Sequence, residues 1–366
     1  MACTSSERAE RYNFASGPAM LPAEVLEQIR DELPNWRNTG SSVLEQPFTS
    51  TAFKQLMAEA EADLRALLTI PDNYRVLFMQ GGASAQFGLL PLNLLQPGQS
   101  ADYLESGHWA RKAITEARRH SPVNVVASGA DQAFTALPPL DHWQLDPAAG
   151  YCHVTSNETG NGLQLQTFPE LSVPLVADMT SDFLTRPLPL ERFGLIYASA
   201  QKNLGVAGLC IVIIRSDLLR APPPGLPTAF SYATQAEQQS RFNTPPTFAV
   251  YVTGLMLRWM GRNGGVPAMA AAAQQKSCLL YRCVDNSDLY LCPQRPADRS
   301  PINVCFQLTK PGLTETFLTE AERNGLTNLR GHAAIGGIRA SLYNPMPLSG
   351  VARLVEFMTD FERKHG

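Results

Sequence analysis

Short apolar runs and stretches of helical spacing alternate along much of this chain. Residues 22–33 and 53–68 read as helices, the first opened by Pro22 and the second rich in Ala, Glu and Leu. Residues 74–79 form a strand-like run, and Gly81-Gly82-Ala83-Ser84 turns out of it toward another helical segment. Further strand-like runs lie at 101–104, 123–127, 151–155, 173–177, 195–198 and 209–214, with helical stretches such as 109–120 between some of them. Alternation of this kind predicts a mainly parallel α/β sheet covered by helices, with its ligand site at the C-terminal ends of the strands. A long helix is expected over 243–261. After Gly264-Gly265 a helix over 267–285 leads into strand 302–308, helix 313–324, strand 337–343 and helix 348–364. The expected organisation is an arm over residues 1–16, a large domain over 17–263 and a small α/β domain over 264–366.

The 366 residues suit one large domain plus a smaller one, and 44% hydrophobic residues supply a sizeable core. A formal net charge of −3 gives no electrostatic footprint for nucleic acid or an acidic membrane. Seven cysteines without a CxxC pair read as a reduced, cytoplasmic chain. The six histidines show neither HxxxH nor HExxH spacing, so no metal site is expected. No apolar segment reaches the ~18 residues of a membrane span, and the polar, partly acidic start is unlike a leader peptide.

Candidate chemistry collects at the predicted strand ends. Lys202 stands between two apolar runs, flanked by Gln201 and small residues. Held in a pocket, its desolvated amine can serve as a Schiff-base nucleophile; in the open it is a solvated turn lysine. The Gly81 turn is either an anion cradle at a helix start or a tight turn that needs glycine for backbone reasons alone. Asp178 can hold a ring nitrogen protonated or cap a strand end. Trp109 can stack on a planar ring or fill core, and Thr159 can bond a phenolic oxygen or sit in a turn. Taken together, these are the parts that pyridoxal phosphate requires.

From Asn13 to Gly366 the chain resembles the phosphoserine aminotransferases, a family of fold-type I pyridoxal-phosphate enzymes. The resemblance rests on Asn13-Phe-Ala-Ser-Gly-Pro-Ala-Met20, Gly81-Gly-Ala-Ser84, Ala101-Asp-Tyr103 with Gly107-His-Trp109, Asn157-Glu-Thr159, Ala200-Gln-Lys-Asn203, Phe242-Asn-Thr-Pro-Pro-Thr247 and Gly336-Gly-Ile-Arg-Ala-Ser-Leu-Tyr-Asn344. It implies a large domain with a mainly parallel seven-stranded sheet and a smaller C-terminal α/β domain. It further implies a pyridoxal 5′-phosphate aminotransferase of serine biosynthesis that moves the amino group of glutamate to 3-phosphohydroxypyruvate.

By resemblance, Lys202 is the Schiff-base lysine, Asp178 the partner of the ring nitrogen, Trp109 the stacking ring and Thr159 the ligand of the phenolic oxygen. Ala83, Ser84 and Gln201 resemble the phosphate cup. Asn243 and Thr244 are similar to residues that reach the cofactor phosphate of a neighbouring subunit, which implies a homodimer with shared sites. Arg339 resembles the clamp for the substrate carboxylate, and His332 is a further substrate ligand.

The pattern departs from the family in two places. Phe48 and Thr49 stand where the family carries a histidine and an arginine, and Ala333 follows His332 where a basic residue is usual. Each lost charge-assisted bond to a phosphate would cost roughly 1.5 to 3 kcal/mol. An aminotransferase for a different, non-phosphorylated 2-oxo acid is therefore the rival expectation, with Arg330 a candidate replacement donor. A non-catalytic dimeric relative is disfavoured by the retained amine, ring partner and clamp. A lyase or desulfurase is disfavoured by the absence of a cysteine placed as its nucleophile.

Overall fold

The computed structural model describes residues 11–366. We number the seven strands of its main sheet in chain order: β1 Tyr74–Gln80, β2 Ala101–Glu105, β3 Val123–Ser128, β4 Cys152–Thr155, β5 Leu175–Asp178, β6 Phe193–Ser199 and β7 Leu209–Arg215. Their spatial order is β1-β7-β6-β5-β4-β2-β3. Only β7 runs antiparallel to its neighbours, so the sheet is mainly parallel, as the alternation predicts.

Both faces of this sheet are buried, and side chains divide between them with period two. Val76, Phe78, Ile196, Ala198, Ile211 and Ile213 join one apolar cluster, whereas Leu77, Met79, Leu195, Tyr197, Cys210 and Val212 join the other. The first face is covered by helices Thr51–Leu68 and Thr247–Arg262. In the former, Phe53, Leu56, Met57, Ala60, Leu64 and Leu68 are buried at helical spacing, Ser50 caps the start, and left-handed Thr69 ends it.

A second core lies in the C-terminal part. A three-stranded antiparallel sheet of Tyr290–Leu291, Asn303–Leu308 and Ile338–Ser341 packs with helices Leu313–Arg323 and Leu348–His365. Phe317 sits at its centre, edge-on to Phe306, Phe357 and Phe361. Helix Gly265–Asp285 bridges the two regions, with Val266 and Met269 in the first core and Leu280 and Val284 in the second.

Three expectations change at the level of local structure. The arm over 1–16 does not hold for residues 11–16. Tyr12–Asn13 pairs in parallel with Leu326–Thr327, and Phe14 is fully buried in the C-terminal core; residues 1–10 lie outside the described residues. The strand expected at 173–177 begins only at Leu175, because Pro174 has no N–H for a ladder; its carbonyl instead accepts from Cys152 N at 2.9 Å. The helix expected from 243 begins at Thr247, since Pro245 and Pro246 keep the preceding residues extended.

Candidate active site

The C-terminal ends of β1, β2, β4, β5 and β6 converge on one cavity of about 150 Å³. Lys202, Asp178, Trp109, Thr159, Gln201, Ala83 and Ser84 all line it, so these seven sequence-predicted residues are brought together. Gly82 and Asn157, from two of the stretches the sequence points to, also line the cavity, as do Thr155, Thr180 and Ser181, which the sequence does not single out. These three belong to the strand ends and turns beside the expected residues, and nothing in their types alone marks them.

Lys202 follows β6 in a tight turn and is buried, its Nζ donating to Thr159 Oγ1 at 3.1 Å. Burial lowers its ammonium to about 8; Asp178 opposes that shift and Arg339 adds to it. The solvated-turn alternative is thereby excluded. Asp178 ends β5 and is buried, one carboxylate oxygen accepting from Thr180 N at 2.9 Å. Burial pushes its carboxyl up, while Thr180 and Lys202 pull it down. A buried carboxylate in this state is stabilised by a cationic N–H placed opposite it.

The glycine turn after β1 leads into helix Ala83–Leu94. Gly81 has φ +100°, a conformation open to glycine, and its N–H bonds Gly208 O at 3.1 Å, tying the turn to the start of β7. No side chain caps this helix, which leaves its first backbone N–H groups facing the cavity that Ala83 and Ser84 line. Gln201 lies beside them, its Oε1 accepting from Ser199 Oγ at 2.5 Å.

Trp109 is held by a residue whose role the sequence does not disclose. Glu158, fully buried in the short hairpin Asn157–Glu158 and Leu163–Gln164, accepts the backbone N–H groups of Trp109 and Ala110, both at 2.9 Å. It also accepts from Ser106 Oγ at 3.2 Å, and Asn161 Oδ1 accepts from His108 N at 3.1 Å. Helix His108–Ala117 thus has its start clamped from outside. Gly107 permits the approach, since a Cβ there would lie 2.6 Å from Glu158 Cδ. Burial pushes the Glu158 carboxyl up to about 7, against the pull of these hydrogen bonds.

Arg339 lies at the edge of the C-terminal sheet, paired in register with Cys305, and is 8% exposed. Its Nη2 donates to Ser16 Oγ at 2.7 Å, its Nε has no partner, and no carboxylate lies within ion-pair distance among the described residues. Ser16 belongs to the N-terminal segment that also meets the turn carrying Lys202: Ala19 N bonds Gln201 O at 2.8 Å. His332 stacks obliquely on His108, with ring centroids 4.2 Å apart, and lies 6.0 Å from the Trp109 ring.

Four predicted residues do not line this cavity: Arg339 and His332, which lie near it, and Asn243 and Thr244. Gln80 holds the Thr244 carbonyl at 2.5 Å, in the loop before helix Thr247–Arg262. Arg330 is committed elsewhere as well, its two terminal nitrogens bound to Glu315 at 2.6 and 2.7 Å on the surface. Phe48 packs against the large core, and Thr49 and Ala333 are exposed.

A second buried lysine provides a contrast. Burial lowers Lys276 to about 7, yet its Nζ is bonded to the carbonyls of Leu342, Tyr343 and Met346 at 2.8 to 3.0 Å. All three N–H donors are engaged, so this ammonium is a staple for the loop after strand Ile338–Ser341. Lys202 alone of the two faces a cavity.

Residues 11–354 match the class-V aminotransferase model. The chain therefore belongs to the class-V aminotransferases and is a pyridoxal-phosphate-dependent transaminase. Within that class it belongs with the phosphoserine aminotransferases. It is 48% identical over 363 residues to a phosphoserine aminotransferase of Nitrosomonas europaea, covering 97% of this chain and 99% of that one. The solved phosphoserine aminotransferase of Bacillus circulans subspecies alkalophilus superposes with a TM-score of 0.96 at 42% identity, over 98% of this chain and 100% of that one. That of Trichomonas vaginalis, solved with pyridoxal phosphate bound, gives 0.92 at 37% identity, over 95% of this chain and 99% of that one.

The cofactor is pyridoxal 5′-phosphate, and the cavity suits it on the protein's own terms. A lysine with a lowered pKa, a buried carboxylate, an uncapped helix start and an indole surround one space, and two buried polar atoms of its lining, Thr155 Oγ1 and Trp109 Nε1, have no protein partner.

Proposed function

We propose that this chain transfers the amino group of L-glutamate to 3-phosphohydroxypyruvate, forming phosphoserine for serine biosynthesis. The observation that carries the reading is Arg339, a buried guanidinium without a carboxylate partner among the described residues, set beside Lys202, the buried lysine that opens on the cavity. A buried cation left unpaired is costly, and a substrate α-carboxylate supplies the missing partner through two parallel hydrogen bonds.

Lys202 would hold the cofactor covalently and Asp178 would keep its ring nitrogen protonated. Trp109 would stack on the ring, Thr159 would bond the phenolic oxygen, and Ala83, Ser84 and Gln201 would receive the phosphate. Bound there, pyridoxal phosphate supplies a sink for the electron pair left when the substrate α-carbon loses its proton. Lys202, with a pKa of about 8 when free, is suited to take that proton and return it on the other side of the exchange. Arg339 fixes the carboxylate and so orients the α-carbon toward the lysine.

The same reading makes the enzyme a cytoplasmic homodimer. Asn243 and Thr244 do not line their own cavity, and by likeness to the family they would complete the phosphate cup of a second copy. In support of a soluble enzyme, no helix among the described residues is long and apolar enough to cross a membrane.

The test is a pair of half-reactions on the loaded protein. Glutamate alone should convert the cofactor's visible absorbance to that of its amine form, and 3-phosphohydroxypyruvate should restore it faster than hydroxypyruvate does. Restoration by hydroxypyruvate alone would transfer the function to a non-phosphorylated acceptor.

A further inference from the structure

Close to Trp109 and Lys202, which line the cavity, four basic side chains keep donors that no described residue engages. Lys112 Nζ, one helical turn beyond Trp109, stands 5.2 Å from the indole centroid, and Lys202 Nζ is 5.9 Å from the same ring. Lys112 makes no hydrogen bond or ion pair among the described residues, although Arg111 beside it is bonded to Glu105 at 2.7 Å. His108 Nε2 is buried and unpartnered. His332 Nδ1 accepts from Ala334 N at 3.2 Å, which places a neutral ring's proton on Nε2, and no protein acceptor meets it. Arg339 keeps its Nε free.

These groups share one place. The His108 and His332 rings lie 4.2 Å apart. The Cβ of His332 lies 3.6 Å from where a Cβ on Gly160 would stand, and Gly160 adjoins Thr159, the residue bonded to Lys202. The charged groups that act on His332 are all cations: Arg339, Lys112 and Lys202. Lys112, His108 and His332 thus keep donors free beside Arg339, and the charges that act on His332 are cationic, which favours an anion with a second acid group.

We propose that Lys112 and His108, together with His332, bind the second acid group of the substrate, the one distal to the carboxylate held by Arg339. The ligand class is a 2-oxo acid or amino acid with an acidic tail, either a phosphate or a carboxylate. The inference rests on the transaminase reading and deepens it. Lys112 acts as a point charge that tolerates either tail, and His108 and His332 supply direction. This assigns the recognition of the tail to positions on helix His108–Ala117, where Phe48, Thr49 and Ala333 have no charge to offer and Arg330 is engaged by Glu315.

Holoenzyme variants Lys112→Met, Lys112→Arg and His108→Asn would be assayed with glutamate as donor against 3-phosphohydroxypyruvate and hydroxypyruvate, and with phosphoserine as donor against 2-oxoglutarate. In Lys112→Met, kcat/KM for 3-phosphohydroxypyruvate relative to hydroxypyruvate should fall about 10- to 100-fold, chiefly through KM. Lys112→Arg should recover most of that ratio, and His108→Asn should lower it less. A matching fall for 2-oxoglutarate would show that one receptor serves both tails; a fall confined to one acceptor would assign it to that tail. An equal loss with all acceptors would overturn the proposal, because Lys112 would then act only through the Trp109 ring. So would an unchanged ratio. Calorimetric binding of inorganic phosphate to holoenzyme is a measurement independent of turnover: affinity should drop about tenfold or more in Lys112→Met, and equal affinity would refute the receptor even if no acceptor reacts.

Discussion

One carboxylate, that of Glu158, receives the backbone N–H groups of both Trp109 and Ala110 at 2.9 Å, and the next residue, Thr159, receives the Lys202 ammonium at 3.1 Å. Two successive side chains of one hairpin thus fix the start of the Trp109 helix and the Lys202 amine relative to each other. In Glu158→Gln the amide offers one acceptor where two N–H groups need one each. An unsatisfied buried N–H costs about 1 to 3 kcal/mol. The variant should melt at a lower temperature and bind pyridoxal phosphate about tenfold more weakly, as read by quenching of tryptophan fluorescence during cofactor titration of the apoenzyme.

Arg339 makes the opposite trade between stability and activity. Among the described residues its buried charge is met by Ser16 Oγ alone. Arg339→Met replaces an unpaired cation with an apolar side chain of similar length, so thermal stability should hold or rise by about 1 kcal/mol. The KM for glutamate should rise about 100-fold or more, since the bidentate bond to the α-carboxylate is gone. Calorimetric melting and steady-state kinetics on one preparation check both halves.

Capture of the cofactor by apoenzyme should depend on pH through Lys202. Burial lowers its ammonium to about 8, and only the neutral amine attacks an aldehyde. The second-order rate with pyridoxal phosphate should therefore rise about tenfold per pH unit below that value and level off above it. Stopped-flow absorbance from pH 6 to pH 9.5 would show the bend; a rate still climbing at the upper end would place the amine in solvent-like surroundings.

Lys276 should matter for folding rather than for chemistry. Its ammonium satisfies three buried carbonyls of the segment that continues to Asn344, whose N–H is bonded to Asn203 Oδ1 beside Lys202. Lys276→Met leaves these carbonyls without a donor and should cost about 3 to 5 kcal/mol. Denaturant unfolding would measure it.

Much of the architecture is legible in the sequence because local rules and burial agree there. The apolar runs at β1, β6 and β7 are too short for helices and are covered on both faces, so periodicity and tertiary packing lead to one answer. Tyr12 and Asn13 are different: their strand exists only because Leu326–Thr327, more than three hundred residues away, offers a ladder. Of the cavity lining, Lys202, Asp178, Trp109 and Thr159 are legible because each carries distinctive chemistry at a strand end, whereas Ala83, Ser84 and Gln201 are legible only through the family resemblance. Glu158 is not, because it acts on backbone N–H groups, which no residue type announces. Lys112 and His108 stay hidden for a related reason. Their significance lies in the absence of partners, and that is visible only once the surrounding side chains are placed.

The most direct test of the account is to reduce the protein loaded with pyridoxal phosphate using borohydride and map the modified peptide by mass spectrometry. A phosphopyridoxyl group on Lys202 is the predicted result. Modification at Lys276, the other buried lysine with a lowered pKa, or at no lysine, would contradict the assignment of the site.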